Sequence, residues 1–593
     1  EEVVVEEVLE EEDAVEEVEI VEEVIDEPVI VEEEILVETI PDEQEVESAF
    51  IHPVATEPVG TETEDEFEHL LASAAAEEEL TALEENEHTK TEKSEESSAN
   101  TLIPSDEHRN RKPISQLCVW LGVSATVLPI SLTWLLITFG LSANAIIADL
   151  VVGYLIAGVI ISTASLAGKR SGLATSIVSR AIFGVWGNAI PGTVVFISRI
   201  AVAAFLLAIT VNISSAFELG LPDLSASVTT VGSLDLNVGL VGSAIAVLLI
   251  AALTLVRGSA SRVLQLVLSS AAFAAVVVAL TGISSATLGF TTPGSAEVFS
   301  KASLLGVSTI VLAATTLWVA IAPNLAKSIP MAERGLKVFG FVAVANFVLP
   351  AIVGVVALTW FGPRVSQLVN IMPLDLGILN EIISELPRYA QAALVTSFAI
   401  TLVYALFLTL KTAVLDLTSV LQTKSRVFGL LLTVLFVMGA LVLFALQPAK
   451  VSFDYLVNVF ILVAALTAGW IGMLVTDVAL RRIAYHELSL SRSYGFYKRF
   501  SILSIAAWVV SVAVALALIP INLRGFSFTG FGLQYISLEN NITSAPVGFL
   551  IAMVSGVLLT VAVRIPEIRK QEREVLAVES RREQLNNIFL GQE

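Results

Sequence analysis

From about residue 115 onward the chain alternates apolar stretches of about 20 residues with short polar loops, the length a helix needs to cross a hydrocarbon core of about 30 Å. Twelve such stretches can be drawn, at 117–139, 143–166, 186–213, 237–256, 262–283, 303–322, 338–360, 391–415, 427–446, 453–478, 501–522 and 545–564. Ahead of them, glutamate is interleaved with valine and isoleucine (EEVVVEEVLEEEDAVEEVEI), giving way to TETEDEFEH and EKSEESSAN. Charge of one sign with almost no aromatic residues cannot bury enough surface to offset chain entropy, so 1–105 is predicted to be a disordered acidic arm. Docking onto a basic protein partner is the other use such an arm has. Behind the last stretch, EIRKQEREVLAVESRREQLNNIF is charged throughout, and a helix outside the membrane is predicted over 566–593. The body between, 106–565, reads as an all-α multi-pass membrane domain of twelve helices.

Composition agrees: of 593 residues 55% are hydrophobic and 16% charged, with a mean hydropathy of +0.78, too apolar for an ordinary soluble protein. The formal charge of −27 hides two different parts. Thirty-eight of the 60 carboxylates precede residue 101, against two lysines, so the arm carries about −36 and the remainder about +9. Within the body, eighteen Lys and Arg from Arg109 to Arg499 fall on one side of the twelve spans. Only Lys301, Arg364, Arg388, Lys450 and Arg524 fall on the other, so both termini are expected in the cytoplasm and the protein in the plasma (inner) membrane. No signal-peptide pattern precedes the first span, and insertion is expected to rest on the spans themselves.

The lone Cys118 forms no intrachain disulfide, and the histidines at 52, 69, 88, 108 and 486 are too scattered for a metal site. With no hydrolase, kinase, haem or nucleotide motif in the body, neither an enzyme nor an organic cofactor is expected. Two spans contain helix breakers in corresponding positions five helices apart: Pro129 in VSATVLPISLTW, and Pro323 with Pro330 in TTLWVAIAPNLAKSIP. Proline removes a donor and disturbs the turn before it, and paired broken spans mark the midplane sites of transporters. Away from the ends of the stretches, two basic residues, Arg199 and Lys411, lie inside them, each at a cost of about 2.5–3.5 kcal/mol on insertion scales unless it faces protein or water.

The segment FGLSANAIIADLVVG followed by GKRSGLATSIVSRAIFGVWGNAIP resembles the nucleobase-cation symporter family, in its purine-cytosine permease branch. The matching positions are Gly168, Arg170, Gly172, Leu173, Ser179, Arg180, Phe183, Gly184, Gly187 and Pro191. WVAIAPNLAKSIP is similar to the family's sixth-span motif, and TDVALRRIAYHELSLSRSYGFYKRFSILSIAAW to its tenth-to-eleventh-span region, so the resemblance runs over roughly 108–565. It implies a LeuT-like 5+5 inverted repeat plus two helices, alternating access, and ion-coupled uptake of a small heterocycle such as a nucleobase. On that reading substrate sits between broken spans one and six, lined by Ser124, Thr126, Thr315, Thr316 and Trp318.

The chain also departs from the family. An aspartate and an arginine of the sixth span are here Asn324 and Lys327, and Val202 and Ala203 stand where the third span usually offers an aromatic ring. Arg199 is then either a recruiter of anionic or carbonyl-rich ligands or a structural charge on a broken helix. In span eight, Ala405 and Leu406 occupy the positions of the family's sodium-binding hydroxyls. Lys411 either replaces that cation or, if the span is 391–410, snorkels from its end. Arg199, Asn324 and Lys411 are the candidate charge-site residues, and H+ is expected to be the coupling ion over Na+. A non-transporting sensor or scaffold presenting the acidic arm, and an amino-acid or polyamine carrier of the same architecture, are the alternatives.

Overall fold

The computed structural model describes residues 109–589 apart from 139–142, 215–226, 232–233, 257, 285–300, 362–385, 424, 446–448, 493–494, 524–525 and 536–540. The predicted acidic arm lies outside the described residues. The first apolar stretch folds as two helices, α1 (Ser115–Ser124) and α2 (Val127–Thr138). They are interrupted at Ala125 and Thr126, just ahead of Pro129, whose ring excludes the carbonyl four residues back. Unbroken α3 (Ala143–Ser171) follows and stops at Gly172, which takes a φ of +66° and bonds its N–H to Gly168 O at 2.8 Å. Two single-turn helices, α4 (Thr175–Val178) and α5 (Arg180–Phe183), lead into α6 (Ala189–Ser214). A hairpin of β1 (Ser227–Val231) and β2 (Leu234–Asn237) precedes α7 (Val238–Thr254) and α8 (Gly258–Ser284).

Span six is again discontinuous: α9 (Lys301–Thr316), a 3-10 segment Leu317–Ile321, then α10 (Ala322–Ala326) with Pro323 as its second residue. Span seven joins α11 (Gly335–Ala343) to α12 (Leu349–Phe361) through a π turn, Val344–Val348. Pro350 lacks the N–H that would bond Asn346 O in α register, which favours the wider turn there. The chain continues through α13 (Arg388–Val420), α14 (Arg426–Ala445), α15 (Ala449–Leu480), short α16 (Glu487–Ser491) and α17 (Ile502–Ala517). A second hairpin, β3 (Pro520–Leu523) with β4 (Phe526–Thr529), leads to α18 (Asn541–Phe589).

Among the described residues ten helices are long and apolar enough to cross a membrane, and two shorter apolar ones, Val238–Thr254 and Ile502–Ala517, fall on the fourth and eleventh stretches. Two limits differ from expectation. Span eight runs to Val420, which excludes an end at 410, and the twelfth stretch continues without a break into the charged C-terminal segment as α18. Burial separates inside from outside: 78% of span six's apolar window is buried, against 28% in spans five and nine. The broken helices are therefore interior, and Leu431 and Leu435 of α14 or Val263 and Val267 of α8 face outward.

Gly168 explains part of the family-like pattern. A Cβ there would sit 2.0 Å from Pro323 O, so only a glycine lets α3 lie against the start of α10. Two motifs far apart in the chain thus describe one helix crossing.

Candidate functional site

Span one is pinned by side chains up to its break. Tyr404 Oη donates to Val119 O at 2.8 Å, and Ser269 Oγ accepts from Gly122 N at 2.7 Å. Ser124, the last residue of α1, donates to Asn346 Oδ1 in the π turn of span seven, while Thr126 Oγ1 donates to Gly122 O at 3.3 Å. Beyond the break in span six, Gln116 Nε2 donates to Leu325 O at 3.0 Å and so ties α1 to α10. Trp318 is buried in the 3-10 segment, in the same apolar cluster as Trp120 and Val123 of α1.

Thr315 and Thr316 are fully buried, but their hydroxyl protons are used within α9, donating to Val311 O and Leu312 O at 2.7 Å each. They face any ligand only as acceptors. Asn324 is placed elsewhere, its Oδ1 accepting from Thr175 N at 3.2 Å while Thr175 Oγ1 donates to Ala320 O at 2.7 Å. That amide fastens α10 to α4, and its Nδ2 is buried with no hydrogen-bond partner among the described residues.

Arg199 reaches the break from α6. Its Nη1 donates to Leu317 O at 3.2 Å, satisfying a carbonyl that the 3-10 segment exposes. Its Nε lies 4.0 Å from Asp416 Oδ2, with 1% of Arg199 and 0% of Asp416 accessible, so the charge pair is wholly inside protein. Among the described residues Nε and Nη2 of Arg199 lack hydrogen-bond partners, and besides Arg199 the Ser176 hydroxyl is the group that bears on the Asp416 carboxylate. A dry, loosely matched ion pair of this kind is costly unless something else engages it. Asp416 is not among the residues expected from the sequence, although it is a single carboxylate in TAVLDL within an apolar run.

Lys411 lies on another face of the same helix and is half-buried. Its Nζ donates to Ser261 Oγ at 2.6 Å, at the start of α8, and stands 5.3 Å from the centre of the Phe407 ring. Ala405 and Leu406, one and a half turns earlier, are buried and supply no side-chain oxygen. Near this end of the bundle, burial and then the charge of Arg426 push the Lys327 ammonium down to about 8.

A second buried ionic cluster was not anticipated. Asp477 of α15 accepts from Arg481 Nε and Arg564 Nη2, each at 2.7 Å, and from Tyr485 Oη at 3.1 Å. Arg564 also donates to Ala181 O and Ile182 O at 2.8 and 3.0 Å, so α15 and α18 grip α5. Arg180 continues the grip, donating to Ser419 O at 2.8 Å and Leu490 O at 3.0 Å. These bonds give the matched arginine at 180 a structural role.

A family model described as a permease for cytosine/purines, uracil, thiamine and allantoin matches residues 102–536. Among solved structures, the chain is similar to Mhp1, a nucleobase-cation-symport-1 family transporter, closed with bromovinylhydantoin bound: TM-score 0.52 at 15% identity, covering 80% of this chain and 95% of that one. An inward-facing conformation of Mhp1 gives a TM-score of 0.49 at 16% identity, covering 79% and 93%. No curated protein matches the chain.

Proposed function

From the premise that the chain belongs to the family of permeases for cytosine/purines, uracil, thiamine and allantoin, we propose that it takes up a nucleobase or related small heterocycle by alternating access, coupled to protons. Membership makes it a multi-pass membrane protein and a secondary transporter rather than an enzyme, with the LeuT-like fold it shares with Mhp1. The observation that carries the substrate site is the paired interruption, at Ala125–Thr126 in span one and Leu317–Ile321 in span six. The acceptor oxygens of Ser124, Thr126, Thr315 and Thr316 and the face of Trp318 would receive a flat, amide-bearing ring. Mhp1's bromovinylhydantoin is a ring of that sort.

Proton coupling is favoured because Ala405 and Leu406 offer no side-chain oxygens to a sodium ion. The end of the bundle that carries Arg109, Lys169, Arg170 and Lys327 is assigned to the cytoplasm, in the plasma (inner) membrane, on the distribution of basic residues. Radiolabelled uptake into cells without their own permeases, run over nucleobases, allantoin, hydantoin and thiamine, tests the reading. Accumulation of one of them, insensitive to replacing Na+ with choline, is expected. Transport that requires Na+ would overturn the coupling, and no accumulation of any compound would overturn the substrate class.

A further inference from the structure

Five half-buried cations gather where the broken spans reach the basic end of the bundle. Arg111 precedes α1, Arg262 begins α8, Lys327 follows α10, Lys411 lies in α13 and Arg426 opens α14. Arg111 N donates to Ser328 O at 3.1 Å, which sets Arg111 beside Lys327, while Lys411 and Arg111 bond to Ser261 and Gln265, one turn apart on α8, so these cations stand together. The side-chain hydrogen bonds of Lys411 and Arg111 go to neutral groups: Ser261 Oγ at 2.6 Å for the lysine, and Gln265 Oε1 at 3.0 Å from Arg111 Nη2. Lys327 makes no side-chain hydrogen bond or ion pair among the described residues. Asp416, on the same helix as Lys411, pairs with Arg199, and Glu333, six residues after Lys327, pairs with Lys337. Tyr404, the other titratable group at Arg111, has its hydroxyl on Val119 O.

Like charges held together out of bulk water repel, and an anion bound among them relieves that repulsion. We propose that Lys327, Lys411 and Arg111 form a binding site for a small oxyanion, a phosphate or a carboxylate. Two ammonium groups and one guanidinium fork suit that chemistry, the lysines as point charges and the arginine as a bidentate donor. The place matters as much as the charge. Lys327 is the first residue beyond α10 and Arg111 lies four residues ahead of α1, so both discontinuous helices lead to the site. The oxyanion has two sources, free phosphate on that side of the membrane or a carboxylate borne by the transported ring. The second rests on the transport reading above; the first does not.

The test uses the full chain in detergent micelles, its melting followed while inorganic phosphate is titrated against sodium chloride of equal ionic strength. A saturable rise in Tm with phosphate and none with chloride is expected. Lys411→Met and Lys327→Met should melt at or above the wild-type temperature without phosphate, since each removes a repelling charge, and should raise the phosphate midpoint at least tenfold. An equal response to both salts, or an unmoved midpoint in both variants, overturns the site. A parallel titration compares orotate with uracil, which lacks its carboxylate. Orotate acting below the phosphate midpoint while uracil is silent assigns the site to a carboxylated substrate, and phosphate acting alone assigns it to a free anion. Neither titration depends on transport, so a silent uptake panel leaves this result standing.

Discussion

Arg199 and Asp416 face each other with little else to hold either one, and that asymmetry makes single and double replacements behave differently. Asp416→Leu leaves a buried guanidinium uncompensated and should cost about 3–5 kcal/mol, whereas Arg199→Met with Asp416→Leu should recover most of it. Melting of the three proteins in micelles decides; a double variant no better than the single one would mean that Leu317 O, not Asp416, is what Arg199 chiefly serves. Lys327 gives a pH signature. Its folded value of about 8 lies below the 10.5 of the unfolded chain, so between these the unfolded chain holds the extra proton. Its charge therefore destabilises the fold fully below pH 8, and stability should climb from there towards 10.5. Lys327→Met should flatten that rise in Tm between pH 7.5 and 10; identical slopes would refute it.

At the scale of elements, most of the architecture was legible in the pattern of apolar stretches. Length and hydropathy are local properties, and so is the effect of a proline on the turn before it, which is why the breaks at Pro129 and Pro323 could be read directly. The charge partners could not. That Arg199 of α6 meets Asp416 of α13, or that Lys411 meets Ser261 of α8, depends on which helix faces cross, and α13 is long enough to carry Lys411 and Asp416 to different neighbours. Asn324 shows the same limit, since the position of the family's aspartate made it a charge-site candidate while its side chain serves α4. The crossing at Gly168 is the element most open to test. Gly168→Ala forces a Cβ onto Pro323 O and should abolish folding or cut uptake severalfold, while Gly242→Ala, which would meet nothing within 4 Å, should be neutral. Expression, melting and uptake of the two variants check this, and a tolerant Gly168→Ala would show that α10 moves freely against α3.

For the whole molecule, the transport reading and the scaffold reading part over the acidic arm. Deleting 1–100 should leave uptake of whichever compound the wild type accumulates within about twofold, because the two breaks, Arg199 and Asp416 all lie in the helical body; loss of uptake on deletion would make the arm part of the machinery. The last helix adds a property of its own. At 49 residues and 1.5 Å per residue α18 is about 74 Å long, more than twice a hydrocarbon core of about 30 Å. It is held near its middle, from Arg564 to Glu572, by the bonds of Arg564 to Asp477 and to the α5 carbonyls, of Gln571 Nε2 to Ala181 O and of the Arg482 and Ile483 N–H groups to Glu572. Held there, the helix acts as a pointer on a pivot. With Phe589 lying about 37 Å beyond Arg564 at 1.5 Å per residue, a tilt of about 5° of the membrane half would swing that tip by about 3 Å. A spectroscopic label near the C-terminus would then report rearrangement of the bundle from well outside the bilayer, without touching the substrate path.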